Sequence, residues 1–201
     1  MLEHVYFEPK YCSDVVVKYM NTCYHSHKAV LASNSKQFYA LFENSQSGDE
    51  KNPLELPTLT CPTFAQKQIT ELDMSMFLGF FYDHSIAPLR GKNSALIAAS
   101  MGYLAHYYQC TSMESIIQAH TLGWFTQNAG DCDLGLALAS LHEAELFQWT
   151  EVSTLVVNML SKLQIDTAST ITLKEIKSGL RRISSETKDS VLARLLSQDV
   201  E

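Results

Sequence analysis

The stretch Ser13–Leu41, SDVVVKYMNTCYHSHKAVLASNSKQFYAL, constrains this chain more than any other. Val15, Val16 and Val17 form a β-branched run ending at Tyr19, which reads as a strand because branched side chains suit a pleated surface. Met20-Asn21-Thr22 supplies a short polar turn and Cys23-Tyr24-His25 a return strand. The pair predicts a hairpin, although no Asn-Gly fixes its turn type. From Lys28 the spacing turns helical through Ala29, Val30, Leu31 and Ala32. Ser33-Asn34-Ser35 then stops one helix and caps the next, whose apolar face falls on Phe38, Leu41 and Phe42.

Upstream, Leu2, Val5 and Tyr6 make one apolar edge of a short helical turn that Pro9 ends. Downstream, Glu43–Asn52 is polar, and Pro53, Pro57 and Pro62 punctuate the chain up to Phe64. Prolines so spaced exclude helix and central strand, so residues 44–66 are expected to form an extended surface loop. Loops of that length are functional or are tolerated insertions. Gln68–Leu72 is expected as the next strand, followed by a helix that opens at Asp73 and buries Phe77 and Phe81 on one face. Residues 95–109, ALIAASMGYLAHYYQ, predict a helix buried on both faces. Thr111-Ser112-Met113-Glu114 has the capping-box pattern, with Met113, Ile116 and Ile117 following at helical spacing.

A repeat comes next. Residues 134–147, LGLALASLHEAELF, form a second Ala/Leu-rich helix, and Gln148-Trp149-Thr150 stands 39 positions after Gln109-Cys110-Thr111. Val152, Leu155, Val156, Met159, Leu160 and Leu163 make a stripe at helical spacing. The offset predicts stacked antiparallel helix pairs. Thr172-Leu173-Lys174-Glu175 is another capping-box pattern. Ile176, Leu180 and Ile183 continue the striping, and Val191, Leu192, Leu195 and Leu196 end it.

Composition narrows function more than fold. A net charge of −7 argues against direct nucleic-acid binding, since phosphate contacts need clustered Lys and Arg. The one adjacent basic pair, Arg181-Arg182, falls on what reads as a solvated helix face. No apolar run reaches the ~18 residues of a membrane span, and the N-terminus has no signal-peptide core. Cys12, Cys23, Cys61, Cys110 and Cys132 are odd in number and form no CxxC pair, which suits reduced thiols in cytosol or nucleus.

Chemistry-bearing constellations are thin. His25 and His27 alternate along the return strand as some metal ligands do, but no acidic partner stands near them in sequence. His106 and Cys110 sketch a base and nucleophile at i, i+4, although nothing nearby would lower the thiol pKa and a buried cysteine is the plainer reading. Asp131 and Asp133 read as helix N-capping. There is no Gly-rich phosphate loop, GxSxG or HExxH. No enzyme activity, metal or other cofactor is expected.

Ser13-Asp14-Val15, His27-Lys28-Ala29-Val30-Leu31-Ala32 and Ser35-Lys36-Gln37-Phe38, with the alternating strand between, resemble the opening of a BTB/POZ domain. The Asp73-x-x-x-Phe77 pattern, the Phe81-Tyr82 pair and the helices around Cys110 are similar to its later parts, with Asp83-His84-Ser85 in place of the usual Thr-Gly. The resemblance implies an α+β fold, a small sheet flanked by helices at 11–118, after a short segment at 1–10. The helices at 119–201 resemble a BACK module, on pattern more than motif. Such proteins are interaction modules, so the resemblance implies a homodimer, with Leu2, Val5, Tyr6, Asp14 and Lys28 at its contact. His27 coincides with the family's fold-defining histidine.

Members that act as adaptors for cullin-3 ubiquitin ligases carry a hydrophobic-x-Glu motif after the Phe-rich helix. Here that position reads Gln46-Ser47-Gly48. The rest of that surface corresponds to Phe42, Tyr82, His84 and Asn93. The implied function is a cullin-3 adaptor for an unidentified client, in cytoplasm or nucleus. The alternative is a self-associating scaffold without cullin binding.

Overall fold

The computed structural model describes residues 12–44, 48–61, 68–84, 94–128, 134–160, 183–185, 187–189 and 191. The chain divides into two compact units, one reaching Ser115 and the other taking up the chain from Ile116.

In the first unit β1 (Val15–Tyr19) and β2 (Thr22–Ser26) pair antiparallel, with Val15 opposite Ser26 and Tyr19 opposite Thr22. Met20 closes the hairpin in the left-handed region at φ 52°. β3 (Leu54–Glu55) joins the other side of β1 in parallel, giving the order β2-β1-β3. Central β1 buries Val15, Val16, Val17 and Tyr19, so its apolar run lacks the alternation of a strand with one wet face. Helices α1 (Lys28–Asn34), α2 (Lys36–Asn44), α3 (Glu71–Asp83) and α4 (Ser94–Tyr107) follow, and α5 (Thr111–Gln127) begins in this unit.

The expected break at Ser33–Ser35 is built as a joint. Ser35 Oγ accepts the Phe38 N–H at 3.0 Å, capping α2, and donates to the Tyr108 carbonyl at 2.6 Å, tying α2 to the end of α4. Around it Phe38 stacks on Tyr108 at 4.9 Å and meets Phe81 edge-on at 6.4 Å, while Phe77 packs on Phe81. These rings are the centre of the core, and all are at least 96% buried. Tyr19 OH donates to the Ile69 carbonyl at 2.9 Å, so the sheet is pinned to the segment leading into α3.

Two expectations change here. Residues 44–66 were expected to run over the surface, yet Leu54, Leu56, Leu59 and Cys61 are buried and β3 lies among them. Pro53 and Pro57 flank the two paired residues, so no proline has to donate a ladder hydrogen bond, and Leu56 N–H bonds the Lys18 carbonyl at 2.8 Å. Gln68–Leu72 is not a strand: Gln68 makes one isolated bridge with Thr60, and α3 starts at Glu71. Thr70 is its N-cap. The Thr70 hydroxyl accepts Asp73 N–H at 3.2 Å and the Asp73 carboxylate accepts Thr70 N–H at 2.9 Å, so Asp73 closes a capping box instead of opening the helix.

The second unit contains the rest of α5, α6 (Leu134–Leu146) and α7 (Thr150–Leu160), with α6 packed on α7. The repeat is kept in its hydrogen bonds. At the end of α4, Cys110 N–H bonds Ala105 O at 2.8 Å and Gln109 N–H bonds His106 O at 3.1 Å. At the end of α6, Trp149 N–H bonds Ala144 O at 2.7 Å and Gln148 N–H bonds Glu145 O at 3.1 Å. Both are Schellman closures with a glutamine in the left-handed position, at φ 55° and 59°. The expected capping box at Thr111 does not form: Thr111 is the first residue of α5, and Glu114 Oε1 meets His106 Nδ1 at 3.2 Å.

Ile183 and Val191 of the later stripes are buried. Residues 1–11 with Leu2, Val5 and Tyr6, the pair Asp131 and Asp133, and residues 161–182 lie outside the described residues. Among the described residues no helix is long and apolar enough to cross a membrane.

Candidate interaction surface

Asp14 and Lys28 meet where the hairpin runs into α1. Asp14 Oδ1 accepts the Lys28 backbone N–H at 2.7 Å, and Asp14 N–H donates to the Ser26 carbonyl at 3.2 Å. The carboxylate therefore caps α1 from a distance, since His27 at the N-cap position makes no side-chain cap bond. Both side chains are exposed in the single chain, and the Lys28 ammonium makes no ion pair among the described residues.

His27 and Tyr82 form a second joint. The Tyr82 hydroxyl accepts the His27 backbone N–H at 3.0 Å and lies 3.2 Å from Nδ1 of the same residue, with the rings edge-to-face at 5.8 Å. Burial raises the Tyr82 hydroxyl above its ordinary pKa, so it stays a neutral hydrogen-bonding group at physiological pH. Tyr82 thus ties the end of α3 to the start of α1. His84, next in the same turn, is exposed and ends α3 in the left-handed region at φ 51°, its N–H on Phe80 O at 2.9 Å. Its ring rests on Phe80 at 5.5 Å.

Phe42 is half-buried and stacked on Phe38 at 6.0 Å. Beside it on α2, Tyr39 is 54% exposed with its hydroxyl donating to Glu43 Oε1 at 2.7 Å. Tyr107, at the end of α4 that Ser35 holds, is also exposed. Neither tyrosine is among the site residues expected from sequence, although Tyr39 falls off the Phe38, Leu41, Phe42 stripe, where an aromatic has to face solvent. Gln46 and Asn93 lie outside the described residues, but Gly48 does not. It is buried at φ 118°, its carbonyl accepting Val16 N–H at 2.7 Å, and a Cβ there would stand 2.9 Å from Val15 Cγ2.

The catalytic sketches dissolve. Cys110 is fully buried, its thiol pushed up to about 12 chiefly by burial, and His106 is turned toward Glu114. No group of three or more His, Cys, Asp or Glu residues is placed to hold a metal among the described residues.

Exposed aromatic and charged side chains on a sheet-and-helix frame suit the class of protein-interaction domains. The particular family follows: a family model described as BTB/POZ domain matches residues 4–121, more than half of the chain, which therefore belongs to the BTB/POZ family. No curated protein matches the chain.

Proposed function

We propose that this BTB/POZ protein is a dimerising adaptor that links a client protein to cullin-3, with α6 and α7 belonging to a BACK-like extension. The observation that carries the cullin half is Tyr39, more than half exposed beside Phe42 on the helix leading into the family's cullin motif. Large aromatics at a surface are the side chains most enriched at energetic centres of interfaces. Asp14 and Lys28 support the dimer half, as exposed charges at the corner where the family builds its two-fold contact. Light scattering of the chain alone and with the N-terminal domain of cullin-3 tests both halves. A dimer mass that rises on adding the cullin domain, and fails to rise for Tyr39→Ala, is expected. A monomer at micromolar concentration would remove the dimer reading.

Gly48 favours a second reading, a self-associating scaffold without cullin binding. It occupies the position of the motif glutamate, and its packing against Val15 leaves no room for a side chain. A stable dimer that leaves the cullin domain unbound decides for that reading.

A further inference from the structure

Ser184 sits in a clasp. Its hydroxyl donates to Glu145 Oε1 at 2.8 Å and its N–H to Glu145 Oε2 at 2.8 Å, so both carboxylate oxygens of α6 are engaged by one residue. The same hydroxyl accepts Thr187 N–H at 3.3 Å, and Lys188 N–H bonds the Ser184 carbonyl at 2.9 Å, so Ser184 also starts the helical turn that follows. Ile183 and Val191, both buried, anchor the segment on either side. Glu145 stands 39 positions after His106, and both copies of the repeat use this place in the closing turn for a polar tie.

The sequence around the clasp reads Leu180-Arg181-Arg182-Ile183-Ser184. The adjacent basic pair lies outside the described residues and enters here by sequence position alone. Two guanidinium groups standing three and two positions before an exposed serine are the pattern that basophilic Ser/Thr kinases read, because a guanidinium fork matches a carboxylate bidentately.

We propose that Ser184 is a phosphoacceptor for a kinase of that class, and that its phosphate releases the 183–191 segment from α6. The Ser184 Oγ attacks the γ-phosphorus of ATP. An Oγ–P bond forms as the bond from that phosphorus to the β–γ bridging oxygen breaks, ADP leaves, and the hydroxyl proton passes to the kinase's base. Oγ then has no proton to donate to Glu145. A group carrying about −1.5 to −2 charges instead faces a carboxylate. The clasp becomes a like-charge contact and opens, while the phosphate remains well placed to cap its own helical turn.

The full chain incubated with ATP and the catalytic subunit of cyclic-AMP-dependent kinase should take up one phosphate, mapped to Ser184 by peptide sequencing. Ser184→Ala should abolish it, and Ser184→Thr, which keeps a hydroxyl, should retain it. Arg181→Ala or Arg182→Ala should each lower kcat/KM by about tenfold, the worth of a charge-assisted hydrogen bond. Hydrogen exchange in 185–191 and at the C-terminal turn of α6 should quicken on phosphorylation, and quicken less in Glu145→Gln. Phosphate on Ser185 or elsewhere, or none on the full chain, overturns the site. Full occupancy at Ser184 with unchanged exchange overturns the release.

Discussion

Replacing Glu143 with leucine should stabilise the second unit by an amount that depends on pH. Glu143 lies on α6 at 8% exposure, and its carboxyl makes no hydrogen bond or ion pair among the described residues. Its counterpart 39 positions earlier is Leu104, fully buried, so the repeat places a carboxyl where its first copy has leucine. Burial alone pushes the Glu143 carboxyl up to about 8 from the ordinary 4.5. The folded state therefore keeps its proton to about pH 8, whereas the unfolded chain gives it up near 4.5. Between those values the unfolded chain binds fewer protons, so stability is fully present below the lower one and drains away as pH rises to the upper one. The slope is about 1.4 kcal/mol per pH unit, and the loss reaches roughly 3 kcal/mol by pH 7.

Leucine removes that slope. Trp124 and Trp149 are the chain's two tryptophans and both fall in the second unit, so urea unfolding followed by tryptophan fluorescence reports this unit by itself. With a urea dependence of about 1–3 kcal/mol/M, Glu143→Leu should raise the midpoint at pH 7 by roughly 1–3 M. At pH 5 the pH-dependent part of that gain should shrink to under about 1 kcal/mol, leaving the cost of burying a neutral carboxyl without a partner, which is the same at both pH values. An equal displacement of the two midpoints at pH 5 and pH 7 would refute the reasoning.

Ser35→Ala should cost about 2–3 kcal/mol, because it removes the cap of α2 and leaves the buried Tyr108 carbonyl without the Ser35 donor; denaturation followed by circular dichroism measures it, and a loss under about 0.5 kcal/mol contradicts it. Gly48→Ala should cost about 1–3 kcal/mol, since it adds a Cβ at 2.9 Å from Val15 Cγ2 in a backbone conformation that only glycine adopts easily. Unchanged stability would show that Val15 gives way freely. Iodoacetamide at pH 8 should label exposed Cys12 and Cys23 in the native chain and spare buried Cys61 and Cys110, with mass spectrometry of the digest as the readout. Fast labelling of Cys110 would revive a nucleophilic role.

Most of the frame was legible because its signals are local and periodic. The β-branched run of β1, the helical face of Phe38 and Phe42, and the Phe77–Phe81 pair follow from spacing alone, and each side chain is where its period puts it. Residues 44–66 are harder to read, because three prolines that argue against helix and strand mask the alternation of Leu54 and Leu56. A two-residue strand paired across long sequence separation leaves little local trace. α3 starts two residues before the expected Asp73, because Thr70 and Asp73 together have capping-box spacing. At the surface, Asp14 and Lys28 meet within one chain, and nothing in spacing could say that the carboxylate bonds a backbone N–H.

The matched residues share a property that explains why the resemblance foretells fold better than partner. Asp14 caps α1, His27 holds Tyr82, and Ser35 joins α2 to α4, so each conforms to its family position by closing a joint within the first unit. Residues bound by such duties cannot vary without loss of stability, whereas Tyr39 and Tyr107 have no such constraint at the surface. Gly48 lies between these cases. By the resemblance it stands where cullin-3 adaptors carry their motif glutamate, yet its carbonyl and its close approach to Val15 bind it to the sheet. A glutamate there would strain β1 before it could attract any partner, so the proposed cullin-3 contact rests on the aromatic side of α2.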